Sequence, residues 1–210
     1  MKLQGLSGGI YSISLWISRL AILNVLWILG VITGLVIIGF APATVALYTL
    51  LRRIVIQKQD VSVIRSFLSV YKKQFVIANK YGLPIVMLGV FLYLDFLIAF
   101  QFDHWTMTIL QVILISLGIV YIMITTFLFS VQVHYEVSIL ANWKNAFILA
   151  VLHPLTVITN LLIFIIIGYI TLLIPGLLIF FSFSIMALVN VVLSFHRLER
   201  HDQQMIEEKA

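Results

Sequence analysis

Four of the five longest apolar stretches in this chain are about as long as the hydrocarbon core of a bilayer is thick, and that fixes its solvent before any motif is read. A helix needs ~20 mostly apolar residues to cross that core. The expected spans are 20–39, 82–100, 107–128, 154–173 and 176–195. Pro154 suits the first turn of a helix, where its missing N–H is not needed. Pro175-Gly176 marks a turn that makes the last two spans a hairpin.

Composition agrees. The 210 residues are 62% hydrophobic and 10% charged, with a mean hydropathy of +1.15. Soluble domains carry ~25% charged residues. Backbone groups in lipid must be paired within a helix or a closed barrel. The long runs do not alternate with period two, which excludes a barrel. The expected fold is therefore an all-α membrane bundle. It forms one domain over 1–195, with a polar cytoplasmic tail at 196–210. The chain has no cysteine, which rules out disulfides and thiolate chemistry.

Basic residues give an orientation. Arg52, Arg53, Lys58, Arg65, Lys72, Lys73 and Lys80 follow the first span, Lys144 follows the third, and Arg197, Arg200 and Lys209 follow the fifth. Only Lys2 and Arg19 fall on the other side of this scheme. The positive-inside rule then expects the N-terminus outside and the C-terminus in the cytoplasm of a plasma-membrane protein. A cleaved signal ending near Ala41-Pro42-Ala43 is disfavoured. The run from Leu20 is too long for a signal core, and cleavage would leave the basic segment outside.

Two cytoplasmic surface helices are expected. In 42–57, Leu47, Leu50, Leu51 and Ile54 lie on one side, with Tyr48, Arg52 and Arg53 nearer the other. In 142–153, Trp143, Phe147 and Val151 recur at helical spacing beside Lys144. Such helices lie in the headgroup plane. The N-terminal Ile10–Ser18 stretch either lies on the outer surface as a third interfacial segment or lengthens the first span. In the basic segment, Lys58, Arg65 and Lys72 are seven apart and share a helical face. Val61, Ile64, Leu68 and Tyr71 form another. The segment reads either as a docking helix for a partner or as a topology signal attracted to anionic lipid, at ~1 kcal/mol per base. Orientation accounts for the net charge of +5, so nucleic acid is not an expected partner.

Asp95 is the one acid inside an expected span, and an intramembrane acid is a functional candidate by default. It lies about 7–8 Å from the outer end of its span at 1.5 Å per residue. Asp95, Asp103 and His104 match no metal-ligand spacing, and His134 with Glu136 lacks the His-Glu-x-x-His pattern. His153, just before Pro154, reads as a cap. Asn24, Thr33, Asn160 and Asn190 are span polars of the kind that bond between helices. No nucleotide-binding or serine-nucleophile motif occurs. No cofactor, metal or catalytic residue is expected.

Three pieces carry a family resemblance. Gly39-Phe40-Ala41-Pro42-Ala43-Thr44-Val45-Ala46-Leu47 follows the first span. Ser66-Phe67 and Tyr71-Lys72-Lys73-Gln74-Phe75 precede the second. Lys144-Asn145-Ala146-Phe147, Ala150 and His153-Pro154 precede the fourth. In order and placement the chain resembles the YesL-like family of bacterial integral membrane proteins, a domain family of unknown function. The resemblance implies about five spans and an accessory or regulatory role beside carbohydrate uptake systems and their sensors. It supplies no catalytic residues. The expected function is a non-enzymatic accessory protein contacting a sugar transporter or membrane sensor. The alternative is a small oligomeric transporter or channel using Asp95.

Overall fold

The computed structural model describes residues 6–102, 104–135 and 138–207, with side chains placed for those between 11 and 199. Lys2, Asp103, Glu136 and Lys209, which entered the charge count and the metal-site readings, lie outside them. The described residues form eight α-helices and one π-helical turn, with no strand. The helices are α1 (Leu6–Thr33), α2 (Ile37–Leu51), α3 (Val63–Ala99), α4 (Trp105–His134), α5 (Ile139–Leu152), α6 (Pro154–Leu173), α7 (Gly176–Phe180) and α8 (Ser182–Glu207). The π-helical turn, Arg52–Ile56, follows α2 directly.

Five helical segments are long and apolar enough to cross a membrane: Tyr11–Thr33, Ile37–Ile56, Val63–Ala99, Trp105–His134 and Pro154–Leu173. The number matches expectation, but the membership does not. The expected span 20–39 is broken at 34–36. There the chain reverses through Leu35 (φ 56°) and Val36 (φ 65°), two positive values rare outside glycine. Glycines make the reversal tight. A Cβ on Gly34 would lie 2.2 Å from the Gly39 Cα, and one on Gly39 would lie 2.5 Å from the Val31 carbonyl.

α2 therefore folds back along α1. Trp27 Nε1 donates to Thr44 Oγ1 at 3.1 Å, and Gly30 faces Ala43. This corrects the expected surface helix at 42–57. α2 is the most enclosed helix of the bundle, with Ala43, Ala46, Leu50 and Leu51 fully buried and Tyr48 nearly so. The side opposite its leucines is built of Ala, Thr and Tyr rather than charges, and a helix apolar all round belongs inside. Small residues also let it approach α3. A Cβ on Gly82 would meet the Ala41 Cβ at 2.4 Å. Between helices in lipid, close backbone approach replaces the hydrophobic drive that works in water.

The hairpin also corrects one part of the charge count. Arg19 Nη2 lies 2.6 Å from Asp60 Oδ1. Arg19 thus sits on the same side as the basic connection after α2, not across the membrane from it.

The expected span 176–195 is also broken, at Phe181, into α7 and α8. Asn24 of α1 fills the break. Its Nδ2 donates to the Leu178 and Ile179 carbonyls at 2.9 and 2.7 Å, and its Oδ1 accepts the Ser184 N–H at 2.9 Å. The expected turn at Pro175-Gly176 is present, and the Thr171 and Ser182 hydroxyls meet across it at 2.7 Å. α8 continues through the expected boundary at 195, because Leu198 is buried one turn after Ser194 and Phe195.

Asn190 ties α8 to α4. Its Nδ2 donates to the Thr126 carbonyl at 3.0 Å, and its Oδ1 accepts from Ser130 at 3.1 Å. Asn160 and Thr33 instead bond within their own helices, to the Thr156 and Gly30 carbonyls. α5 does exist where expected, but it turns Asn142, Ala146, Leu149 and Ala150 inward and leaves Phe147 and Val151 exposed. The two alanines permit the closer packing against α4. His153 ends α5 and starts α6 through its backbone. Its N–H donates to the Leu149 carbonyl, and its own carbonyl accepts from Thr156.

Candidate functional site: a basic cleft and an apolar cavity

The bases predicted to face a partner begin where α2 ends. The helix does not stop at Arg52 but widens. The Gln57 N–H reaches back five residues to the Arg52 carbonyl at 3.0 Å, and the Gln59 N–H reaches the Arg53 carbonyl at 2.9 Å. π-helical turns are uncommon and recur at functional sites. Lys58 closes the segment with φ 51°.

Arg52 is anchored on both sides of its guanidinium. Nη1 donates to the Val133 carbonyl of α4 at 2.7 Å, and the group lies 5.0 Å above the Phe195 ring of α8. Both interactions are favourable for a planar cation in a partly dry setting.

This turn forms one wall of a cleft of about 780 Å³; α3 and the end of α4 form the others. Arg52, Arg53 and Lys73 all line it. Three of the six bases singled out in the sequence are thus brought together. The other three are not. Lys58 does not line the cleft, and Arg65 and Lys72 are exposed on α3. Sequence reading missed the amides that share the cleft: Gln57, Gln59, Gln74 and Gln132. Gln132 is the notable omission, since an amide near the end of the apolar α4 run was a visible signal. Its Oε1 and Nε2 are both buried without a hydrogen-bond partner. Buried polar atoms are normally paired, so an orphan pair at a cleft wall points to something that fills it.

The apolar face expected on α3 is shifted. Phe67 is fully buried, and Tyr71 donates its hydroxyl to the Gly30 carbonyl at 2.8 Å. Ile64 and Leu68, by contrast, are exposed beside Arg65 and Lys72.

A second cavity, of about 680 Å³, lies deeper, between α1, α2, α3, α4, α6 and α8. Aromatic rings dominate its walls, among them Trp27, stacked on Phe183 at 4.0 Å between centroids. Asn160 and Asn190 reach its edge. Asp95 lines neither cavity. It is half-exposed on α3 and has no hydrogen bond or ion pair among the described residues. Among the described residues no group of three or more His, Asp or Glu is placed to hold a metal.

Fold and composition together define a multi-pass helical membrane protein. A family model described as "Protein of unknown function, DUF624" matches residues 20–96. The chain is 31% identical to the uncharacterized protein YesL of Bacillus subtilis (strain 168), covering 100% of this chain and 99% of that protein. It is 25% identical to the uncharacterized protein YteU of the same organism, covering 97% and 91%. For the uncharacterized protein YesV the identity is 26%, covering 89% of each. The chain belongs to this YesL-like family of unknown function. No solved structure matches it.

Proposed function

We propose that the chain is a non-catalytic accessory component of the bacterial plasma membrane that docks on a membrane transporter or sensor through its basic face. The observation that carries this reading is the stripe Ile64, Arg65, Leu68 and Lys72 on α3. Its apolar residues stay exposed while Phe67 and Tyr71, on the adjoining face, anchor the helix. Exposed apolar residues interleaved with cations fit an acidic, amphipathic cytoplasmic segment of a partner. The family resemblance implies that such a partner belongs to carbohydrate uptake.

In this reading the basic face is cytoplasmic. The Arg19–Asp60 pair supports a revised orientation in which α1 starts on that same face. All 11 Lys and Arg among the described residues then lie on the cytoplasmic side, as do the start of α1 and the end of α8.

Co-purification in mild detergent, from cells expressing a carbohydrate uptake system, tests the reading. The expected result is recovery of a transporter or sensor subunit with the native chain, and its loss with Arg65→Glu/Lys72→Glu. Recovery of this chain alone, with the uptake system present in the same membranes, overturns it.

A further inference from the structure

We infer that the cleft walled by the π-helical turn is a binding site for a phosphate ester. Three observations converge there. Arg52, Arg53 and Lys73 come from α2's extension and from α3, and they line one space. No carboxylate among the described residues lines it, and Asp60, the acid that follows the turn, is engaged by Arg19. Glu199 acts electrostatically on Arg52 but stands outside the lining. Three cations lining one space, with a carboxylate acting on only one of them, attract an anion, and guanidinium groups match phosphate geometry.

The amides narrow the chemistry. Gln57, Gln59, Gln74 and Gln132 each offer a donor and an acceptor, and both amide atoms of Gln132 lack a partner in the free protein. Cations alone would serve any anion. Cations with amides that can also accept suit a phosphate whose substituent carries hydroxyls. The third observation is placement. The cleft lies where the apolar α2 ends, and Val45, Val70 and Ile77 line it together with the cations, so a ligand there meets apolar and charged groups at once. Two sources share this chemistry: the headgroup of an anionic glycerophospholipid and a free polyol phosphate. The inference stands apart from the docking proposal, since it requires no partner protein.

The test uses the purified full-length chain. One arm titrates glycerol 1-phosphate into protein in neutral detergent. The other reconstitutes the protein in nanodiscs of phosphatidylcholine with or without phosphatidylglycerol. Thermal unfolding is read in both. Lys73→Gln is compared with Lys72→Gln, which removes the same charge one residue away and outside the cleft. Both positions are exposed on a long helix, so both variants fold. Stabilisation by the soluble ester, weakened about tenfold by Lys73→Gln and not by Lys72→Gln, supports a free phosphate ligand. The same discrimination seen only with phosphatidylglycerol supports a lipid headgroup. No stabilisation in either arm overturns the inference. So does an equal loss in the two variants, which would mean diffuse surface charge.

Discussion

The Asn24 Oδ1 accepts the Ser184 backbone N–H at 2.9 Å, joining residues 160 positions apart. With its Nδ2 on the Leu178 and Ile179 carbonyls, this side chain supplies what the broken α7–α8 helix lacks. Lipid offers no substitute for those bonds. Asn24→Leu is expected to lower stability by about 2 kcal/mol, since one buried and two partly buried backbone groups lose their partner. Asn160→Leu removes only a bond within α6 and should cost less than about 1 kcal/mol. Thermal melts of both variants in one detergent give the comparison, and equal losses would contradict the special role of Asn24.

Glycines divide into two classes that alanine scanning will separate. A Cβ on Gly34 or Gly39 meets backbone atoms at 2.2 and 2.5 Å, which cannot yield. Nothing lies within 4 Å of the corresponding position on Gly118 or Gly168. Gly34→Ala and Gly39→Ala are expected to destabilise the α1–α2 hairpin by several kcal/mol or abolish accumulation. Gly118→Ala and Gly168→Ala should raise helix stability by up to about 1 kcal/mol. Melting midpoints that fall at Gly118 or Gly168 would show an undetected contact there.

Because the chain has no cysteine, single-cysteine labelling reads its topology without background. Cysteines at Ser14 and Lys58 are expected to react with an impermeant thiol reagent from the same, cytoplasmic side. A cysteine at Leu35 should react from neither. Leu35 is 80% exposed yet flanked only by apolar residues and glycine from Gly34 to Phe40, which places the tip in hydrocarbon. The charge-free part of the Ile37–Ile56 segment ends at Leu51, and its 15 residues measure ~22 Å at 1.5 Å per residue against a core of ~30 Å. Periplasmic labelling of position 35 would show instead that the hairpin crosses completely.

Among the described residues Asp95 has no partner that its loss would strand. Asp95→Leu is expected to unfold at the same temperature as the native chain or above it, since an apolar side chain suits that depth better. Proteoliposomes carrying Asp95→Asn should show the same cation leak as the native protein. A melting point several degrees lower, or a flux abolished by Asp95→Asn, would restore the transporter reading.

Much of the architecture was legible because lipid demands unbroken apolar runs. α6 begins at Pro154 as expected, 107–128 falls within α4, and 82–100 falls within α3 but for Phe100, its C-cap. What escaped were the places where an apolar run changes direction without a charge or a proline to announce it. Leu35 and Val36 turn the chain with positive φ, and Phe181 interrupts a helix between Phe180 and Ser182, a small polar residue that spans commonly carry. Tertiary partners make both possible: the Gly34–Gly39 approach in one case, the Asn24 amide in the other. Arg52, Arg53 and Lys73 were visible as charges. Their meeting in one cleft depends on a π-helical turn that no periodicity reveals.

One dimension of α3 sets how this protein meets membranes of different thickness. At 37 residues it is ~55 Å long, nearly twice the hydrocarbon core. Gly82 rests on Ala41 part-way along it, too close for any side chain at Gly82. A helix longer than the local hydrocarbon core fits it by tilting. For α3, a tilt would move Arg65 and Lys72 sideways at its basic end, so the bilayer's thickness bears on where those two charges stand.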